Sequence, residues 1–200
     1  MGDIVYSYGE SVYMNITNKC CCSCVFCIRG QKDAIGSASS LWHDREPTID
    51  EIIAAIDAFD LTDATEVVFC GYGEPTCALD NLIAAAKYIR EHYRVKLRLN
   101  TNGLSDLVNG KPTAKILGEY IDEVSISLNA PTARAYMEVT RPVFGEGSFE
   151  AMLAFAAECR KYVKSVKMSV VDTISSEDIE RSQALADSLG IPLRIRHYSD

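Results

Sequence analysis

The chain has 200 residues, 48% of them apolar and 24% charged, with a formal net charge of -8. Those proportions are those of a globular protein with chain enough for one good core, so a single domain over 1–200 is expected. The acidic balance argues against a nucleic-acid-binding surface, which is usually basic. No apolar run approaches the ~18 residues that read as a membrane span. The start, Met1-Gly2-Asp3-Ile4, lacks the basic and apolar segments of an export signal.

Ile4 to Tyr8 and Ser11 to Thr17 are β-prone runs, and Gly9-Glu10 between them reads as a hairpin turn. The second run leads into Asn15-Ile-Thr-Asn-Lys-Cys-Cys-Cys-Ser-Cys-Val-Phe-Cys-Ile-Arg-Gly30, where five of the chain's eight cysteines stand within eight positions. Thiolates are soft ligands that select iron–sulfur clusters, zinc or Cu(I). Without an export signal, metal is a better reading of these cysteines than disulfides, and a reducing, oxygen-poor cytoplasm is the expected compartment. Two frames share Cys24 and Cys27: Cys20-x3-Cys24-x2-Cys27, and Cys21-x2-Cys24-x2-Cys27, the opening of a bacterial ferredoxin run whose fourth cysteine is missing here. The histidines, His43, His92 and His197, are scattered, which leaves a zinc knuckle without its second ligand pair.

Gly30 to Glu46 is polar and reads as a loop carrying the only tryptophan, Trp42, as a lid or a cavity wall. A capping box from Thr48 to Glu51 opens a helix whose Ile49, Ile52, Ile53 and Ile56 form a buried stripe. Glu66 to Cys70 is a strand, followed at once by Gly71-Tyr72-Gly73-Glu74-Pro75 and a helix from about Ala78 to Glu91. Glycines after a strand let the backbone come close to a ligand. Cys70 and Cys77 read as small buried hydrophobes. Val95 to Asn100 is the next strand and ends in Thr101-Asn102-Gly103; a short helix ends near Tyr120. Asp122 to Leu128 is a strand with Ser125 and Ser127 on one face, followed by Asn129. Helices over Thr132–Val139, Ser148–Tyr162 and Ser175–Leu189, the last stopped by Gly190, frame strands at Ser165–Val171 and Leu193–Arg196, with His197-Tyr198 beyond. Arg141 is either a surface residue or a clamp for an anion.

From Ser11 onward strands alternate with helices six times, which implies an α/β protein with a parallel sheet. The polar motifs fall where such sheets place their sites, beyond the carboxyl ends of the strands.

Cys20-x3-Cys24-x2-Cys27 with Phe26, joined to Gly-Tyr-Gly-Glu-Pro, resembles the signatures of the radical S-adenosylmethionine (SAM) superfamily. The opening hairpin, Asn-Ile-Thr-Asn-Lys-Cys, Cys-Ile-Arg and Leu-Trp-His-Asp-Arg-Glu-Pro are similar to the small TatD-associated radical SAM family. The resemblance implies an open six-stranded (β/α)6 partial TIM barrel with an N-terminal β-hairpin. It implies a [4Fe–4S] cluster on Cys20, Cys24 and Cys27 with one iron left open for SAM, the logic of any catalytic metal. Gly73 and Glu74 would then meet the ammonium of SAM, with Phe26, Asn102, Ser127 and Asn129 around the cofactor. The implied activity is reductive cleavage of SAM to a 5′-deoxyadenosyl radical that takes hydrogen from a small-molecule substrate, with flavodoxin or ferredoxin as electron donor. No residue receives a proton-transfer role. Two rivals are an activase that makes a glycyl radical on a partner protein, and a non-catalytic iron–sulfur electron carrier.

Overall fold

The computed structural model describes residues 2–198. One seven-stranded sheet runs in chain order: β1 (Val5–Tyr8), β2 (Ser11–Met14), β3 (Glu66–Phe69), β4 (Lys96–Thr101), β5 (Glu123–Ser127), β6 (Ser165–Val171) and β7 (Leu193–Arg196). β1 and β2 form the antiparallel hairpin, turned through Gly9 at φ 59°, a conformation glycine adopts without strain. All the later pairings are parallel. Six parallel strands, with the hairpin strand on one edge, make the open partial barrel that the βα rhythm implies.

The α-helices among the described residues are α1 (Ile49–Phe59), α2 (Leu79–His92), α3 (Ser105–Asn109), α4 (Ala114–Tyr120), α5 (Ala133–Thr140), α6 (Ser148–Tyr162) and α7 (Ser176–Ser188). α1 begins at the capping box: Thr48 Oγ1 accepts from the Glu51 N–H while Glu51 accepts from the Thr48 N–H. α3 is the element the sequence pattern does not announce, being a single turn of five residues. Ile52 and Ile56 of α1, Leu82 and Ile89 of α2, Leu117 of α4 and Met152 of α6 are fully buried against Val67, Phe69, Leu97, Leu99, Val124, Ile126 and Met168 of the sheet. Each such side chain contributes on the order of 1.5–3 kcal/mol.

That core covers one face of the sheet only. Because side chains alternate along a strand, the other face carries the complementary set. The register aligns Tyr6 with Tyr13, and Tyr13 with Val68, Arg98 and Glu123 in successive strands; it likewise aligns Ser127 with Ser169 and Arg194. This concave face is aromatic on the hairpin side and polar elsewhere. Its lower end is closed by an ion-pair lattice: Lys96 meets Glu66 and Glu123, each at 3.0 Å, Arg98 meets Glu66 at 2.9 Å and Lys167 meets Glu123 at 3.1 Å.

Candidate metal and cofactor site

β2 stops at Met14, three residues earlier than its β-prone run, because Asn15 is diverted into a fully buried junction. Its Nδ2 donates to Leu41 O at 2.7 Å, and its Oδ1 accepts the Tyr72 N–H at 3.1 Å. The residues that follow are clamped as well. Asn18 Nδ2 donates to His43 O at 2.7 Å, Thr17 Oγ1 donates to Glu46 at 2.5 Å, and the Glu74 N–H donates to Lys19 O at 2.8 Å. Here the two glycines of Gly71-Tyr72-Gly73 find their reason. A Cβ on Gly71 would meet Asn15 Oδ1 at 2.1 Å, and one on Gly73 would meet Thr17 O at 2.2 Å and Lys19 O at 2.7 Å. The close approach expected of a ligand is made by the chain itself: the glycine turn presses on the lead-in to the cysteines and fixes where they start. Trp42 packs edge-on to Tyr72, ring centroids 5.0 Å apart, with Arg29 stacked over it at 4.8 Å. It is a lid on the glycine turn.

Of the five clustered cysteines, Cys21 and Cys22 are buried and Cys20, Cys24 and Cys27 half-buried. The thiol of Cys22 lies against those of Cys20, Cys21 and Cys24. Hydrogen bonds donated by the Cys22 thiol favour the thiolate at Cys20, Cys21 and Cys24, and Cys22 itself is pushed up. Cys27 stands on the 3-10 turn Ile28–Gly30, where burial raises it. Among the described residues no three Cys, His, Asp or Glu side chains already stand at metal-binding separations. The loop is pinned to the end of α5: the Ser23 N–H donates to Thr140 O at 3.0 Å and the Val25 N–H to Val139 O at 2.9 Å. Phe26 lies half-buried beside Cys27 and outside the packed core.

Asn102, at the end of β4, ties the cysteine loop to the glutamate. Its Nδ2 donates to Cys21 Sγ at 3.1 Å and its backbone N–H to Glu74 Oε2 at 2.7 Å. Glu74 Oε1 accepts from Thr76 N at 3.1 Å, Thr76 Oγ1 at 2.8 Å and Thr101 Oγ1 at 2.8 Å. Burial raises the Glu74 carboxyl, and these donors partly offset it. Glu74 thus latches the mouth of β3 to that of β4, and Oε2 retains capacity for one more partner. Ser127 is half-buried on the concave face beside Ser169. Asn129 is buried in the left-handed conformation at φ 61°, its Oδ1 without a hydrogen-bond partner.

The structure therefore brings Cys20, Cys24, Glu74 and Asn102 together at the carboxyl ends of β2, β3 and β4, and sets Ser127 and Asn129 at the end of the neighbouring strand β5. Cys70 and Cys77 depart from the expectation that they are core filler. Neither belongs to the packed core; Cys77 touches Cys21, and Cys70 faces Asn100 on the concave side. Asn15 and His43 carry no chemical signature in the sequence, yet their junction sets the loop. Two shallow, open depressions lie elsewhere: one of about 670 Å³ between α5 and α6, lined by Met137 and Glu150, and one of about 310 Å³ against α1. Neither contains the polar cluster, so neither carries chemistry here. The donor set at the mouth, the half-buried thiols of Cys20 and Cys24 with thiolate-favouring contacts, Cys27 two residues beyond the Val25 anchor, and a buried amide oxygen with no hydrogen-bond partner nearby, fits an iron–sulfur cluster with an organic cofactor against it.

Comparison with known proteins agrees. A probable dual-specificity RNA methyltransferase RlmN of Trichodesmium erythraeum (strain IMS101) is 24% identical over 178 residues, covering 84% of this chain and 48% of its own. A dual-specificity RNA methyltransferase RlmN of Wigglesworthia glossinidia brevipalpis is 30% identical over 124 residues, covering 56% of this chain and 30% of its own. The chain thus spans half or less of these relatives. The crystal structure of Streptococcus suis SuiB bound to precursor peptide SuiA superposes with a TM-score of 0.67 at 18% identity, over 98% of this chain and 40% of that one, which shows the shared fold. The Trichodesmium and Wigglesworthia relatives bear the names of RNA methyltransferases, so the acidic net charge is no argument against a nucleic-acid substrate. Residues 14–186 match the profile of the Radical SAM superfamily, so the chain belongs to that superfamily, a class of enzymes that use a [4Fe–4S] cluster and S-adenosylmethionine.

Proposed function

We propose that this chain is the catalytic core of a cytoplasmic enzyme that cleaves SAM reductively, with Cys20, Cys24 and Cys27 as the cluster ligands. Phe26, Gly73, Glu74, Asn102, Ser127 and Asn129 border the cofactor in this reading. A small molecule is the substrate, and flavodoxin or ferredoxin supplies electrons. The observation that carries it is convergence: the cysteine loop, the Gly-Tyr-Gly-Glu-Pro turn and Thr101-Asn102-Gly103 leave three different strands at their carboxyl ends and are hydrogen-bonded to one another there. A cluster held by Cys20, Cys24 and Cys27 would supply the electron for reductive cleavage of SAM to methionine and a hydrogen-abstracting 5′-deoxyadenosyl radical.

The chain's own residues orient and shield. Glu74 fixes the glycine turn through Thr76, Thr101 and Asn102, and leaves one Oε2 lone pair for an ammonium group. Asn102 directs an N–H at sulfur, which stabilises thiolate charge. The lid of Trp42 and Tyr72 covers the turn from water. No described helix is long and apolar enough to cross a membrane.

A second reading, methylation of RNA, is favoured by the names of the curated relatives. The test is anaerobic. Reconstituted protein with dithionite and SAM is expected to release 5′-deoxyadenosine; a fully loaded cluster that releases none would overturn the reading. An RNA oligonucleotide that becomes methylated would select the second.

A further inference from the structure

The register places seven charged strand residues on the concave face: the carboxylates Glu66 and Glu123, and the cations Lys96, Arg98, Lys167, Arg194 and Arg196. The two carboxylates are engaged by Lys96, Arg98 and Lys167 in the lattice at the lower end. Two cations remain, Arg194 and Arg196. Among the described residues neither has a hydrogen bond or an ion pair to another side chain. Both stand on the last strand, toward the mouth. Arg194 is in register with Ser169 and, through it, Ser127. Arg196 lies across the concavity from Cys70 and near Cys24 of the cysteine loop, with Arg194 beside it.

Among the described residues the other carboxylates near the mouth make no ion pair with either arginine. Glu74 is held by Thr76, Thr101 and Asn102, and Asp172 accepts from the Tyr198 N–H at 2.7 Å and lies 2.7 Å from His197 Nδ1. Both arginines are exposed to solvent on the last strand; desolvation by the adjoining protein wall lowers Arg196 from the usual guanidinium range, and the neighbouring Arg194 lowers it further. An excess of positive charge in a concavity is unexpected in a chain whose formal net charge is -8. A cleft lined by one sign of charge concentrates ligands of the other. Paired guanidinium forks suit planar or tetrahedral oxyanions. Polar partners are at hand: Ser127, Ser169 and the unpartnered Oδ1 of Asn100, which takes an N–H or O–H of a ligand.

We propose that Arg194 and Arg196 bind an oxyanion, phosphate or carboxylate, of the substrate, holding it on the β7 side of the concavity beside the cysteine loop. The assignment rests on the reading of the mouth as the reaction site, and it adds the substrate's chemical class: a small molecule bearing an anionic group.

The test is isothermal titration of inorganic phosphate, and separately of malonate, into the anaerobically reconstituted protein. Wild type is compared with Arg194→Gln, Arg196→Gln, the double variant and Arg196→Lys, with Lys87→Gln on the far surface of α2 as a charge control. Saturable binding is expected in wild type and in the control. Each glutamine substitution should weaken it by about tenfold, as expected for a lost charge-assisted hydrogen bond, with the lysine variant in between. Tighter phosphate binding would indicate a phosphoester substrate, and tighter malonate binding a carboxylate. Unsaturable titration by both anions, or equal binding in the double variant, would overturn the proposal. So would a double variant that changes only the cluster's spectrum, since the arginines would then merely balance thiolate charge. The titration needs no SAM cleavage, so absence of 5′-deoxyadenosine would sink the proposed activity without touching this result.

Discussion

The two ends of the concave face are both polar, but they are built differently. At the lower end Glu66, Lys96, Arg98, Glu123 and Lys167 are joined to one another by ion pairs of 2.9 to 3.1 Å. At the mouth, thiols lie against thiols, and among the described residues Asn100 and Asn129 keep unpartnered oxygens and Arg194 and Arg196 make no ion pair. Burying a polar group without a partner is costly, which singles out the amide oxygens of Asn100 and Asn129, whereas the arginines are exposed and Arg98 Nε is the one such atom in the lower lattice. The lower end is architecture, and the mouth is where chemistry is left open. This is the division known for barrels of parallel strands, whose sites gather at the carboxyl ends.

The sharpest break of that contrast is at the thiols. Cys24→Ala or Cys27→Ala should keep the fold and lose 5′-deoxyadenosine formation by about 100-fold or more, since a metal ligand is removed from the centre on which turnover depends. Iron content and product assays on the same sample check it. Next is Gly73→Ala, whose Cβ would stand 2.2 Å from Thr17 O. Backbone must move on both sides of the contact, so a loss of about 2–4 kcal/mol is expected, with loosened iron binding, measured by urea denaturation and cluster retention.

The third prediction separates the two ends by pH. Burial pushes Asp122, just before β5, upward, but Lys164, the Leu97 N–H and Arg90 outweigh it and hold it at about 2. Its contribution is therefore present above the unfolded carboxylate range and is lost as pH falls from about 4 toward 2, worth roughly 2 kcal/mol. Asp122→Asn should flatten that acid limb in urea midpoints measured from pH 2 to 6. Glu74 has the opposite sign. Its folded value is raised, so its contribution is full below the unfolded value and is lost as pH rises through the folded one. The smallest effect belongs to Thr48→Ala, remote from both ends. Loss of the α1 cap should lower stability by about 1 kcal/mol in thermal unfolding and leave SAM cleavage unchanged.

The fold was legible because each element carries a local signal: isoleucines at helical spacing in α1, β-branched runs in β3 and β6, and glycine at the hairpin and after α7. The cysteine loop and Gly-Tyr-Gly-Glu-Pro were legible as motifs because chemistry needs those residue types close together in sequence. What escaped depends on contacts between distant segments. Asn15 reads as the end of a strand until Leu41 and Tyr72 are seen to hold it. Gly73 reads as room for a ligand until Thr17 and Lys19 fill that room. Cys77 reads as filler until it meets Cys21. The pairing of Arg194 and Arg196 with the concavity follows from strand register, which periodicity alone does not fix.

The most direct measurement is electron paramagnetic resonance of the reduced, reconstituted protein before and after SAM is added. A cluster with one iron open to SAM predicts a changed spectrum on addition, lost together with the cluster in Cys24→Ala. A spectrum that SAM leaves unaltered, in protein with full iron loading, would contradict the account.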